Sequence, residues 1–87
     1  MHDVRLSSVA IRDLDAISPR YAAAIVEFMF GRLAENPCRV GKPLTRELTG
    51  TYSARRGDYR VLYRVDDVTK VVLVVRIDHR ARVYRTP

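Results

Sequence analysis

The chain has 87 residues, a formal net charge of +6 and a single cysteine, Cys38. That length fits one domain, residues 1–87, able to bury roughly 60% of its unfolded surface, and one cysteine excludes an internal disulfide and fits a reducing cytoplasm. No apolar run approaches the ~20 residues of a membrane span, and Met1-His2-Asp3-Val4-Arg5 lacks the apolar segment of a signal peptide, so a cytoplasmic protein that does not engage membrane is expected.

In chain order, Val4 and Leu6 alternate with Arg5 and predict a short strand over Asp3 to Leu6. Ser7 or Ser8 can cap a helix that carries Ala10, Ile11, Leu14 and Ile17 at helical spacing, with Arg12, Asp13 and Asp15 outward. Ser18-Pro19 restarts the helix, with serine as cap and proline at the first helical position. From Pro19 to about Glu35 a stripe of Ala22, Ile25, Val26, Met29 and Leu33 is widened by Tyr21, Phe28 and Phe30. Gly31 weakens this helix locally and Asn36-Pro37 ends it. The two helices are expected to form an antiparallel hairpin whose apolar stripes cover a sheet. Pro37 to Gly50 reads as a loop rich in Pro, Gly and basic residues, with Leu44 and Leu48 under a short helical turn. Lys42 and Arg46 in this loop can track a nucleic-acid backbone, and a solvated loop accounts for either one singly.

Thr51 to Val65 predicts a β-hairpin. Two β-prone runs flank Gly57-Asp58, and a two-residue loop with Gly first suits a type II′ turn. The turn sets Arg56 opposite Tyr59, Arg55 opposite Arg60, Ala54 opposite Val61, Ser53 opposite Leu62 and Tyr52 opposite Tyr63. By alternation, Tyr52, Ala54, Val61 and Tyr63 form a core face, with Arg56 and Tyr59 at its tip. Ser53, Arg55, Arg60, Leu62 and Arg64 form the other face. Like charges directly opposite each other weaken a sheet, and the counter-charge that compensates Arg55 against Arg60 is expected to be a phosphate.

Asp66 to Lys70 reads as a turn. Val71 to Ile77 is an almost unbroken β-branched and aliphatic run, the pattern of a central strand covered on both faces. Arg76, Asp78 and Arg80 share parity. A turn with an odd number of residues would place them on the face of Arg60 and Arg64, and a bulge would undo that placement. His79 points with Ile77 toward the core side. The predicted architecture is α+β in two layers: an N-terminal strand, a helical hairpin, then an antiparallel β meander that the first strand joins.

Charge is segregated. Residues 1–37 hold four Lys or Arg against five Asp or Glu, whereas residues 38–87 hold twelve against five. Fourteen of the sixteen basic residues are arginine, which binds phosphate through planar, bidentate contacts; codon bias accounts for arginine number but not for the asymmetry. His2, His79 and Cys38 meet no metal-ligand spacing, and Asp66 and Asp67 read as turn residues rather than as a Mg²⁺ site with Asp78. No phosphate-binding loop, dinucleotide fingerprint or serine elbow occurs, and neither metal nor cofactor is expected. Arginines, a histidine and tyrosines around a phosphate suit RNA cleavage by 2′-OH attack, with guanidinium groups stabilising the developing charge and a tyrosine or histidine moving protons or stacking on a base.

The loop Gly41-Lys42-Pro43-Leu44, the hairpin Ser53-Ala54-Arg55-Arg56-Gly57-Asp58-Tyr59-Arg60-Val61-Leu62-Tyr63 and the tail Asp78-His79-Arg80-Ala81-Arg82-Val83-Tyr84-Arg85 resemble the RelE branch of the RelE/ParE toxin superfamily. The resemblance implies a RelE-like microbial RNase fold and a bacterial, ribosome-dependent mRNA interferase. It also implies a small, acidic, RelB-like antitoxin as partner, with operator DNA reached only through that antitoxin. Arg60 matches the family's hairpin arginine, Arg80 the arginine ending the last long strand and Tyr84 the tyrosine near the C-terminus, while Arg55 sits where a second basic residue is usual. Arg56, Arg64, Arg76 and Arg82 join Lys42 and Arg46 as candidate RNA-binding residues. Ser53 stands where a lysine occurs in one type of these toxins, and the tail lacks an extended C-terminal helix. If that lysine is the general base, His79 is the candidate substitute, because a neutral imidazole accepts a proton near neutral pH; its core-side parity equally suits a structural role. A ParE-type gyrase poison and a non-enzymatic nucleic-acid-binding or corepressor module remain as rival readings.

Overall fold

The structure is a computed structural model that describes residues 1–79. Five strands form one sheet in the order β1-β5-β4-β3-β2. β1 (Asp3–Leu6) runs parallel to β5 (Val71–His79), and β2 (Lys42–Pro43), β3 (Tyr52–Arg56), β4 (Tyr59–Asp66) and β5 pair antiparallel in turn. β2 lies inside the segment read as a loop from sequence. Two residues long and holding a proline, it has no periodicity to betray it. Its path depends on Gly41, where a Cβ would lie 2.1 Å from the Tyr63 hydroxyl and 2.9 Å from the Ser53 carbonyl oxygen. The Tyr63 hydroxyl donates to the Pro37 carbonyl at 2.5 Å, tying this segment to the core.

Helix α1 (Ser8–Asp15) starts at Ser7, whose Oγ accepts from the Ala10 N–H at 3.1 Å, so Ser7 rather than Ser8 is the cap. Helix α2 (Pro19–Phe28) has Pro19 in its first turn as expected, but Ser18 makes no side-chain cap. The single long helix predicted to Glu35 widens into a π-helical turn over Met29–Leu33, around Gly31. The short helix α3 (Pro37–Val40) then follows Asn36. Leu48 belongs to a 3₁₀ turn (Arg46–Leu48) and is exposed rather than anchoring it.

Ala10, Ile25, Phe28, Met29 and Leu33 from the helices meet Val4, Ala54, Val61, Tyr63, Val72, Val74 and Ile77 from the sheet in one core. Val26, placed in the apolar stripe from sequence, and Tyr21 and Phe30, placed as widening it, are exposed. β5 is central, yet only one face is fully covered, since Leu73 on the other remains 38% exposed.

Candidate nucleic-acid interface

The hairpin register is as the Gly57-Asp58 turn dictates: Arg55 opposite Arg60, Arg56 opposite Tyr59 and Tyr52 opposite Tyr63. Gly57 has φ +63° and Asp58 is not among the positive-φ residues, as a type II′ turn requires. The face of the sheet away from the core is built in rows. Arg55 and Arg60 align with Asp78; Lys42, Ser53 and Leu62 align with Arg76; Arg64 and Leu73 align with Arg5. Arg5 was not singled out from sequence, although its alternation with Val4 and Leu6 puts it on this face once β1 joins β5.

These rows depend on one irregularity. Four residues, Asp67 to Lys70, separate β4 from β5, so the odd-numbered turn on which that placement depended is absent. Strict pairing onward from Arg64 opposite Leu73 would have turned Arg76 toward the core. Instead Leu62 pairs with Arg76 while Tyr63 pairs with Val74, leaving Val75 without a partner across β4. This β-bulge shifts the parity by one, buries Ile77 and brings Arg76 and Asp78 onto the face of Arg60. The bulge was expected to spoil the face, and it creates it. The signal was present: Val72 and Val74 are spaced for the core, but the next apolar core residue is Ile77.

Helix α1 stabilises the bulge. Beyond Val74, β5 has no β1 residue beside it, and α1 supplies the missing bonds. Ser7 Oγ donates to the Val75 carbonyl at 3.1 Å, and Asp13 Oδ2 accepts from the Ile77 N–H at 2.9 Å and from Arg76 Nε at 3.0 Å. Arg76 also reaches Asp78 at 3.4 Å. Thus Arg76, a candidate RNA contact, is engaged by two carboxylates. Asp13, which the sequence reading left on the outer helix face, is a structural hinge-pin.

The ion pairs among the described residues are His2–Asp67, Arg5–Asp3, Arg76–Asp13 and Arg76–Asp78. Arg55, Arg60 and Arg64 belong to none of them. Arg55 Nε instead donates to the Gly57 carbonyl at 3.1 Å, bending toward the hairpin tip. Lys42 and Arg46 are exposed on β2 and the 3₁₀ turn, Arg46 with φ +59°. Arg56 and His79 lie on the other side of the sheet: Arg56 pairs with Tyr59, Tyr59 pairs with His79, and the His79 ring meets the Tyr59 ring edge-on at 5.8 Å. His79 thus stands on the opposite face from Arg60. Arg80, Arg82 and Tyr84 lie outside the described residues.

The acidic residues have separate tasks. Asp66 accepts from the Val68 and Thr69 N–H groups at 3.0 and 3.1 Å, and these bonds hold its carboxyl below the usual carboxylate range. Asp67 meets His2. Among the described residues no group of three His, Cys, Asp or Glu could hold a metal ion, and no helix is long and apolar enough to cross a membrane. Burial raises the Tyr63 phenol well above its ordinary pKa. Tyr52, stacked on Tyr63 at 5.6 Å, is raised chiefly by a hydrogen bond with Cys38. Both are structural phenols beneath the basic face.

A family described as the ParE toxin of type II toxin–antitoxin systems matches residues 4–84. Toxin RelG of Mycobacterium tuberculosis is 57% identical over 84 residues, covering 97% of each chain, and toxin RelE of the same organism is 48% identical over 84 residues, covering 97% of this chain and 87% of the relative. Among solved structures, the toxin–antitoxin complex RelBE2 of M. tuberculosis holds a chain that superposes with a TM-score of 0.88 at 57% identity, covering 91% of this chain and 98% of that one. With a family match across nearly its whole length and two relatives this close, the chain belongs to the RelE/ParE superfamily of type II toxin–antitoxin toxins, on its RelE-like side.

Proposed function

We propose that the chain, acting as a single domain in the bacterial cytoplasm, is a ribosome-dependent mRNA interferase restrained by a small acidic RelB-like antitoxin. The observation that carries the reading is the row in which Arg55 faces Arg60 on a sheet face fringed by Lys42, Arg64 and Arg5. Two guanidinium groups set across a hairpin weaken it, and a phosphodiester between them relieves the repulsion and takes bidentate bonds.

The reaction this arrangement suits is attack by a ribose 2′-OH on the adjacent phosphorus. The 2′-O–P bond forms, the bond from phosphorus to the 5′-oxygen breaks, and the upstream fragment keeps a 2′,3′-cyclic phosphate while the downstream fragment leaves with a 5′-OH. The 2′-proton passes to a base and the leaving oxygen gains a proton. Arg60, with Arg80 from the tail, stabilises the charge building on the non-bridging oxygens. Tyr84 stacks or moves a proton, whereas His79, on the opposite face from Arg60, is not placed to take the 2′-proton there. The relatives named as toxins RelG and RelE support the toxin reading, and the RelBE2 toxin–antitoxin complex supports the antitoxin partner.

Programmed ribosomes carrying a defined mRNA test the reading. Cleavage is expected in the ribosome-bound message, to be abolished by a single 2′-deoxy sugar at the cut position and to persist in EDTA where polyamines keep the ribosomes intact. Arg60→Ala is expected to lose about 10²–10³ in rate with little change in mRNA affinity. The family description as a ParE toxin keeps one rival specific. A preparation that stops growth, leaves ribosomal mRNA whole and traps gyrase on DNA would replace the nuclease with a gyrase poison.

A further inference from the structure

Where the sheet ends at the hairpin tip, a concave slot of about 680 Å³ opens on the helix side, between α2 and the hairpin. Ala24 and Ile25 form an apolar floor, Tyr21, Tyr59 and His79 the walls, and at the hairpin tip Arg55 and Arg56 outnumber the one acidic lining residue, Asp58. The Tyr21 and Tyr59 rings lie 6.1 Å apart, inclined at 42°. Tyr21 is 52% exposed although Ile25 and Phe28 of the same helix are buried, so core packing does not account for its ring. The Arg20 guanidinium lies 5.8 Å from its centre.

Aromatic walls with arginines beside them fit a flat, apolar-faced group attached to negative charge. An unpaired nucleobase on a phosphodiester chain has that form. An acidic peptide would satisfy the arginines but leave the rings without a stacking partner. The slot is also continuous with the basic face: Arg55 lines it and is at the same time the residue opposite Arg60. A strand whose phosphate lies against Arg55 and Arg60 reaches the slot with a neighbouring base by turning round the end of the sheet.

We propose that this slot is a base-stacking subsite for single-stranded RNA, holding one unpaired base beside the phosphate on the Arg55–Arg60 row. The proposal rests on the RNA reading of the basic face, and its test is independent of ribosomal cleavage. A short oligoribonucleotide made uncleavable by 2′-O-methyl sugars is titrated into the full chain, following tyrosine ring resonances by NMR and affinity at several salt concentrations. The Tyr21 and Tyr59 rings are expected to shift on binding. Tyr21→Ala should weaken binding about 5- to 150-fold, the range for loss of one stacked base, with no change in salt dependence. Tyr21→Phe should restore it, since the ring and not the hydroxyl stacks. Arg60→Ala should instead lower the salt slope by about one. The half-exposed Tyr21 side chain can be removed without opening the core, which circular dichroism checks. Unmoved rings with a normal Arg60→Ala effect would place RNA on the open face alone, overturning the subsite but not the RNA reading. No oligonucleotide binding at millimolar concentration overturns the subsite whatever ribosomes show. A Tyr21→Ala variant that keeps RNA affinity and loses affinity for an antitoxin segment assigns the slot to the antitoxin instead.

Discussion

Replacing Asp13 with alanine should destabilise the protein more than any other single loss of a surface-helix carboxylate. One oxygen of Asp13 accepts both the Ile77 N–H and Arg76 Nε, at 2.9 and 3.0 Å, and the side chain is 16% exposed. A hydrogen bond to a charged group contributes about 1.5–3 kcal/mol, and its loss leaves a sheltered backbone N–H without a partner. Arg76 itself is 38% exposed and keeps Asp78, so its share is discounted toward the ~0.2–1 kcal/mol of an exposed pair. The expected total is about 2–3 kcal/mol, which for a domain of this size lowers Tm by about 8–24 °C. Asp13→Asn keeps one oxygen able to accept both bonds but loses the charge that strengthens them, and should cost about half as much. Arg76→Ala should cost about 0.5–1 kcal/mol. Thermal and urea melts followed by circular dichroism measure all three. If Asp13→Ala melts within 2–3 °C of the parent, Asp13 does not cap the edge of β5; if Arg76→Ala is as damaging, the ion pair carries the stability and the backbone bond does not.

Gly41→Ala should destabilise by about 1–3 kcal/mol through overpacking, since its Cβ meets both the Tyr63 hydroxyl and the Ser53 backbone; Gly31→Ala, with nothing within 4 Å of the new Cβ, should leave stability unchanged or raise it by about 0.5–1 kcal/mol, and urea midpoints of the pair decide. Arg55→Thr removes a like-charge contact and an exposed bond to Gly57, so its stability should stay within about 1 kcal/mol of the parent while growth inhibition falls; a large drop in Tm would make Arg55 a structural residue. Asp66, held below the usual carboxylate range by the Val68 and Thr69 N–H groups, contributes stability that is present above its unfolded pKa and lost as pH falls through the depressed folded value. The Tm gap between the parent and Asp66→Ala should therefore be full at pH 7 and close under acid conditions, and a gap that widens in acid would contradict that sign.

The hairpin register was legible because Gly57-Asp58 permits one tight turn, and a tight turn propagates its register to every pair along β3 and β4. The cap at Ser7 and the break at Asn36-Pro37 were legible because each rests on local backbone chemistry. What escaped was non-local. β2 exists only because Gly41 lets a short extended segment approach Tyr63 and lie beside Ser53. The π-turn at Met29–Leu33 keeps the same apolar residues at nearly the same spacing as an α-helix. Asp13 looked like a solvated helix charge because its partner, the Ile77 N–H, is 64 residues away.

At the Val75 bulge one residue without a partner across β4 divides the sheet's labour. Upstream of it, β5 sends Val72 and Val74 into the core; downstream it sends Ile77 there and turns Arg76 and Asp78 toward the basic face. Without the extra residue Arg76 would have had to be buried, at a desolvation cost of several kcal/mol, or the strand would have had to end. Bulges weaken ladders where they occur, and here the weakness is met by Ser7 and Asp13 from α1 rather than by the sheet. The same helix that seals the core on one side therefore fixes the geometry of the opposite face. The alignment of Arg60 with the end of β5 is set from α1, so Asp13→Ala, which substitutes none of that face's arginines, should still disturb RNA handling.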